Sequence, residues 1–109
     1  MEFIQSYEEW QLKINEHESV LLFVKTNNCS VCDGLLPQVE ALEENNSLPF
    51  YMLNVSEVPE MAGQLSLFTA PVVLLYHQGK EYARFARFVR MKDLQYRLQE
   101  LIGGSEHRD

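Results

Sequence analysis

The run Val20-Leu21-Leu22-Phe23-Val24 contains no polar residue and is β-branched at both ends. Such a run is strand-sized and reads as a strand buried on both faces, as strands of parallel sheets are. A strand of that kind needs a layer above it and a layer below it, so the rest of the chain has to supply helices for both. Ser6 followed by Glu9 fits an S-x-x-E capping box, and Tyr7, Trp10 and Ile14 then recur at helical spacing. The first helix is therefore placed from Ser6 to about Asn15. After the apolar run, Asn27 and Asn28 break the strand. Cys32, Leu35, Leu36, Val39 and Leu42 then share one face of a second helix, ending near Glu44-Asn45-Asn46. Pro37 lies inside that helix and is expected to kink it.

Phe50 to Val55 reads as a second strand, and Pro59 to Leu65 as a short helix with Pro59 near its first turn. Pro71 to Tyr76 is a third strand. Gln78-Gly79 punctuates it, and Glu81 to Phe88 follows as a fourth, so the pair reads as a hairpin. Met91, Leu94, Leu98, Leu101 and Ile102 define a closing amphipathic helix, with Asp93 and Arg97 as an i,i+4 pair on its outer side. Gly103-Gly104 is expected to stop this helix, leaving Ser105 to Asp109 as a frayed tail. The order α, β, α, β, α, β, β, α indicates an α/β fold with a mixed sheet covered on both faces. At 109 residues the chain suits one domain, residues 1–109, and leaves no room for two.

Net charge is −7, from 16 acidic and 9 basic residues. That balance argues against nucleic acid and anionic membrane surfaces as main partners. Residues 1–60 carry 11 acidic and 2 basic groups, whereas residues 61–109 carry 5 and 7. Lys80, Arg84, Arg87, Arg90, Lys92 and Arg97 hold most of the positive charge. A solvated sheet edge and helix face accounts for them; a docking patch for an acidic partner, over the Arg-rich segment 84–97, is the alternative. The N-terminus lacks a basic start followed by an apolar stretch, and no apolar run approaches the roughly 20 residues of a membrane helix. The expectation is a soluble cytoplasmic protein.

The only two cysteines, Cys29 and Cys32, are too few for a disulfide-stapled scaffold and too close to close a long loop. In a cytoplasmic setting such a pair is more often catalytic or metal-binding. Zinc wants four ligands, and the other candidates are His17, His77 and His107 or carboxylates, none with paired spacing to the cysteines. A redox pair is favoured, with no metal. Cys29 sits where the buried strand turns into a helix. Residues three apart at a helix start lie on one face, with Cβ atoms about 5–6 Å apart, and modest tightening brings them to the roughly 3.5–4.5 Å of a disulfide. The unpaired N–H groups of the helix start favour a thiolate. Cys29, outside the first turn, is the candidate exposed nucleophile, and Cys32, one turn in, the buried resolving thiol. His77, beside the hairpin turn, is read as a surface residue and His17 as complementing a helix C-terminus. Met52, Met61, Met91 and Trp10 are read as packing residues.

Strand, Cys29-Ser30-Val31-Cys32, helix with Pro37 five residues after the second cysteine, Thr69-Ala70-Pro71 opening a strand, and the Gly79 hairpin: in this order and spacing the chain resembles the thioredoxin family, from about Ser6 to Ile102. The resemblance implies the thioredoxin fold, a mixed four- or five-stranded sheet with helices on both faces. It also implies a cis peptide before Pro71 that sets the Ala70-Pro71 turn against the cysteines. Substrate backbone would pair along that turn, and Asn28, Ala70, Pro71 and Arg87 become candidate substrate-binding residues. Electrons would come from a thioredoxin-reductase-like flavoenzyme or a small thiol, substrates would be disulfide-containing proteins, and no bound cofactor is needed.

The chain also departs from the family pattern. Asn28 stands where thioredoxins have tryptophan, and Ser30-Val31 where they have glycine and proline. Phe23 occupies the position of the family's buried aspartate and Met52 that of the neighbouring lysine. Joint loss of the two charges makes physical sense, because losing one would leave the other uncompensated. That aspartate is thought to relay protons to the second thiol, so slower activation of Cys32, or activation through water, is expected. Asp33 replaces a usual lysine, and an anion there opposes thiolate formation. Arg87 aligns with the glycine that lines the family's substrate groove. A cation at that place favours a thiolate, selects acidic substrates or narrows the groove. The expected function is reduction of protein disulfides through a Cys29–Cys32 couple. The alternatives are a glutaredoxin- or bacilliredoxin-like reductase of small-thiol mixed disulfides, and a thioredoxin-fold adaptor whose disulfide does little.

Overall fold

A computed structural model describes residues 1–107, with side chains described through Gly103. The elements run β1 (Glu2–Phe3), α1 (Tyr7–Glu16), β2 (Ser19–Lys25), α2 (Ser30–Glu43), β3 (Phe50–Asn54), α3 (Glu60–Gln64), β4 (Val72–His77), β5 (Lys80–Ala86) and α4 (Met91–His107). The five strands form one sheet in the order β1-β3-β2-β4-β5. β2 is at its centre, parallel to β3 and antiparallel to β4. Every residue of β2 from Val20 to Val24 is buried, as the unbroken apolar run requires. Alternate residues of the run feed two separate cores. Val20, Leu22 and Val24 pack with Trp10 and Met61, from α1 and α3. Leu21 and Phe23 pack with Cys32, Leu35, Val39, Leu94 and Leu98, from α2 and α4.

Ser6 caps α1 by accepting from the Glu9 amide at 3.0 Å, and the Glu9 carboxylate returns to the Gln5 amide at 2.7 Å. Trp10 is buried and stands edge-on to Tyr76, with ring centroids 5.1 Å apart, on the sheet face away from the cysteines. Met52 and Met61 are core residues and Met91 packs against the core's edge. The hairpin of β4 and β5 turns through Gln78 (φ +53°) and Gly79 (φ +80°), the left-handed pair of a two-residue connection.

One strand is not read from the sequence, and three expectations need correction. β1 has no sequence signature, because two residues show no periodicity; it is held by pairing with β3 and by the Ile4 amide donating to the Met52 carbonyl at 2.7 Å. β5 stops at Ala86 and does not reach Phe88, because Arg87 turns the chain with φ +68°. α4 runs through Gly103 and Gly104 to His107. Glycine costs a helix about 1 kcal/mol but ends one only where it turns left-handed or a partner draws the chain away. Positions 108–109 of the expected tail lie outside the described residues. Finally, Arg97 does not pair with Asp93. Its guanidinium lies over the Tyr82 ring, 4.8 Å from the centroid, and bonds Glu100 at 2.9 Å. Tyr82 donates its hydroxyl to the same carboxylate, which tethers β5 to α4. That bond raises the tyrosine's pKa and lowers the carboxyl's.

Arg84 is likewise a structural residue. It chelates Glu81 at 2.9 Å and donates to the carbonyls of Leu65 at 2.7 Å and Ser66 at 2.8 Å. It therefore ties β5 to the end of α3, where the chain leads into Phe68-Thr69-Ala70. Arg84→Ala is expected to lower stability by about 1–2 kcal/mol in chemical denaturation, mostly through the two carbonyls left without a donor.

Candidate functional site

Asn28 leaves β2 in the left-handed conformation (φ +57°), which asparagine tolerates better than most residues. The turn makes Cys29 the N-cap of α2. Its sulfur accepts from the Cys32 amide at 3.1 Å, and its carbonyl from the Asp33 amide at 3.0 Å. The first turn of α2 thus directs an otherwise unpaired N–H at the Cys29 sulfur, the arrangement that stabilises a thiolate. Cys29 is partly buried and Cys32 fully so. The sulfurs are joined as a disulfide, with the Cα atoms 5.2 Å apart. Asp33 and Ser30 are exposed in the same turn, and α2 continues through Pro37.

The bond between Ala70 and Pro71 is cis. Val72, directly after Pro71, pairs with Val24 at the end of β2 that leads to Cys29, so turn and cysteines share one end of the sheet, and Ala70 and Cys29 both pack on the core cluster that contains Cys32. Arg87 joins them: its amide donates to the Pro71 carbonyl at 3.0 Å. The Phe88 amide then donates to Ala86 at 2.8 Å, closing a three-residue turn around Arg87. Arg87 is exposed. Beside it, Val31, Gly34, Leu35, Gln38, Phe88, Val89 and Arg90 complete an open cleft of about 640 Å³ between α2 and the chain entering α4. The structure thus gathers Asn28, Cys29, Cys32, Ala70, Pro71 and Arg87 in one region. His17 and His77 are placed elsewhere: His17 meets the Tyr51 hydroxyl at 3.3 Å, and His77 the Ser19 hydroxyl at 2.8 Å. Among the described residues, no three His, Cys, Asp or Glu side chains converge in a metal-ligating group.

Phe23 and Met52 are directly opposed across β2 and β3, and both are buried in the core cluster that holds Cys32. The two departures are therefore one local change, an apolar pair in the core cluster that also holds the second cysteine.

Periodicity gave no sign of two further features. Phe68 and Phe88 are each 87% exposed and Val31 is 59% exposed, an unusual display of large apolar groups; Val31 and Phe88 line the cleft, and Phe68 lies two residues before Ala70. Asn54, the buried polar residue at the end of β3, donates to the Asn27 side chain at 2.9 Å and accepts from the Ser56 amide at 2.9 Å. Ser56 in turn accepts from the Asn27 amide at 3.1 Å. This ring of bonds pins the loop that presents Cys29. Asn54→Ala is expected to cost about 1–2 kcal/mol and to speed amide exchange at Asn27 and Asn28.

A five-stranded sheet bearing a Cys-x-x-Cys pair at the start of α2 and a cis-proline turn against it defines the thioredoxin fold. Solved structures match it closely: Fasciola hepatica thioredoxin with TM-score 0.85, 22% identity and coverage of 93% of this chain and 99% of that one; mitochondrial thioredoxin 3 of Saccharomyces cerevisiae, oxidized form, with TM-score 0.85, 16% identity and coverage of 93% and 95%. The Thioredoxin family model matches residues 2–100. The thioredoxin-like protein YdfQ of Bacillus subtilis (strain 168) is 34% identical over 89 residues, 81% of this chain and 80% of that protein. The chain belongs to the thioredoxin family, and its Cys29–Cys32 pair is the equipment of thiol–disulfide oxidoreductases in general.

Proposed function

We propose that the protein reduces disulfides of other proteins, with Cys29 attacking and Cys32 resolving, in a reducing cytoplasmic compartment. The observation that carries this reading is the asymmetry of the pair: Cys29 is partly accessible and capped by a helix N–H, whereas Cys32 is 1% exposed. A Cys29 thiolate attacks one sulfur of the substrate disulfide. The bond between the substrate sulfurs breaks, one leaves as a thiolate and takes a proton, and a mixed disulfide remains. Cys32, deprotonated, then attacks the Cys29 sulfur and releases the second substrate thiol. Two electrons have passed to the substrate, and the protein holds the Cys29–Cys32 disulfide. A flavoenzyme-coupled dithiol or a small thiol returns it to the reduced state. Asn28 shapes the approach, and the Ala70-Pro71 turn offers backbone for the substrate to pair with.

Phe23 and Met52 set the pace of the second step. With no carboxylate beneath Cys32, its proton leaves through water or the departing substrate thiolate, so resolution is slow relative to attack. The test is turnover of a protein disulfide with each donor class supplied in turn, together with the reduction potential of the couple. A strongly reducing potential with turnover supports the reading. A potential near those of oxidants and isomerases, or no turnover with either donor, overturns it.

A further inference from the structure

The basic segment divides into two kinds of arginine. Arg84 and Arg97 are consumed by Glu81, Glu100, Tyr82 and backbone carbonyls. Among the described residues no ion pair engages Arg87 or Arg90, and both line the cleft that Val31 and Phe88 border, beside the disulfide. Arg87 holds φ +68°, where a β-carbon is disfavoured and glycine is at ease, so an arginine there carries a local conformational cost.

The geometry points to a specificity device: Arg87 and Arg90 select protein disulfides flanked by an acidic side chain next to an apolar one. This rests on the proposed exchange at Cys29 and names its substrate class. The carboxylate would meet the two guanidiniums, while the neighbouring apolar residue covers Phe88, which is 87% exposed. The occupant is a polypeptide and not a small thiol, because exposed Val31 and Phe88 offer apolar area for a residue on either side of the carboxylate. The chain's own net charge of −7 works against acidic partners at long range. That repulsion is screened beyond about 8 Å at physiological salt, so the selection acts at contact and shows in KM.

The test uses two cyclic disulfide peptides that differ only in Leu-Glu against Leu-Gln beside one cysteine, and the same pair with both cysteines replaced by serine. The first pair reads exchange and the second reads binding without chemistry. The intact protein is expected to favour the Glu peptide roughly fivefold in kcat/KM and in binding affinity, the size two partly desolvated charge contacts give. Arg87→Gly combined with Arg90→Gln is expected to bring both ratios to about one, and Arg87→Lys to retain most of the preference. Arg87→Gly relieves the backbone, so its fold is not at risk. Equal binding and equal exchange of the two peptides would overturn the inference and leave the oxidoreductase reading standing. A binding preference without exchange would support the cleft while defeating the reductase. An arginine-dependent preference confined to a carboxylate-bearing small-thiol disulfide, with none for the peptides, would overturn the choice of a protein substrate.

Discussion

Cys29→Ser is expected to abolish reduction of protein disulfides, by about a thousandfold or more, and Cys32→Ser to accumulate covalent adducts with substrates. The two outcomes differ because the two sulfurs occupy different places. Cys29 caps α2, partly accessible, with the Cys32 amide 3.1 Å from its sulfur. The other thiol of the chain, Cys32, is 1% exposed and cannot meet a protein disulfide in its place. Removing Cys32 leaves attack intact and withholds the group that would cleave the mixed disulfide. The adduct therefore persists until an external thiol arrives, and it is visible as a mass increase reversed by reductant. Neither substitution is expected to unfold the protein, since the pair closes a loop of negligible length and the core around Cys32 accepts an isosteric serine at modest cost. If Cys32→Ser instead retains turnover on small-thiol mixed disulfides, the chemistry is glutaredoxin- or bacilliredoxin-like. If the parent is inactive and Cys32→Ser traps nothing, the domain is an adaptor.

Phe23→Asp is expected to lower stability by about 3–5 kcal/mol at neutral pH, because it buries a carboxylate without a partner. Phe23 is 0% exposed and opposes Met52 across the β2–β3 pair, in the cluster that also holds Cys32. Burial favours the neutral acid, so the new carboxyl's pKa in the folded state is raised above its unfolded value. Its neutral form is compatible with the fold below the unfolded value of about 3.9, and stability is then lost as pH rises through the folded value. The variant should therefore be least stable at high pH. Phe23→Asn, equally polar but unable to ionise, should show no such slope. Adding Met52→Lys supplies a counter-charge at the facing position, and the double variant is expected to show a favourable coupling of about 1–3 kcal/mol. It should also quicken Cys32 attack on the mixed disulfide by about tenfold or more, since a proton acceptor then lies beneath the second sulfur. Rapid-quench measurement of mixed-disulfide decay reads that step alone. An unchanged decay rate in the folded double variant would defeat the proton-relay argument. A pH-independent Phe23→Asp would show that water reaches the position.

The consumption of Arg84 by Leu65, Ser66 and Glu81 changes what the basic segment means. Read along the chain, the arginines from 84 to 97 form one patch. In the fold, Arg84 on β5 and Arg97 on α4 hold those elements in place, whereas Arg87 and Arg90, on the connection between them, face the cleft. A linear sequence holds no record of which carbonyls a guanidinium meets, so the division was not legible before the tertiary structure.

What the sequence determined by itself is what depends on local chemistry. The apolar run at Val20–Val24 required a central strand with helices on both faces. Ser6 and Glu9 capped α1, Gln78-Gly79 turned the hairpin, and the spacing of Cys29 and Cys32 at a helix start placed a redox pair. The resemblance carried by Pro37, Ala70-Pro71 and Gly79 then assigned the fold. Tertiary structure decided what depends on contacts between distant residues. β1 exists only because β3 offers an edge to pair with. Phe23 and Met52 become one apolar contact only through the strand register. The cleft of Arg87, Phe88 and Arg90 forms because Arg87, tied by its amide to the Pro71 carbonyl, turns the chain away from the line of β5 with φ +68°. Local spacing fixes periodicity and capping, whereas register, edge pairing and side-chain partners are set by which surfaces meet when the layers pack.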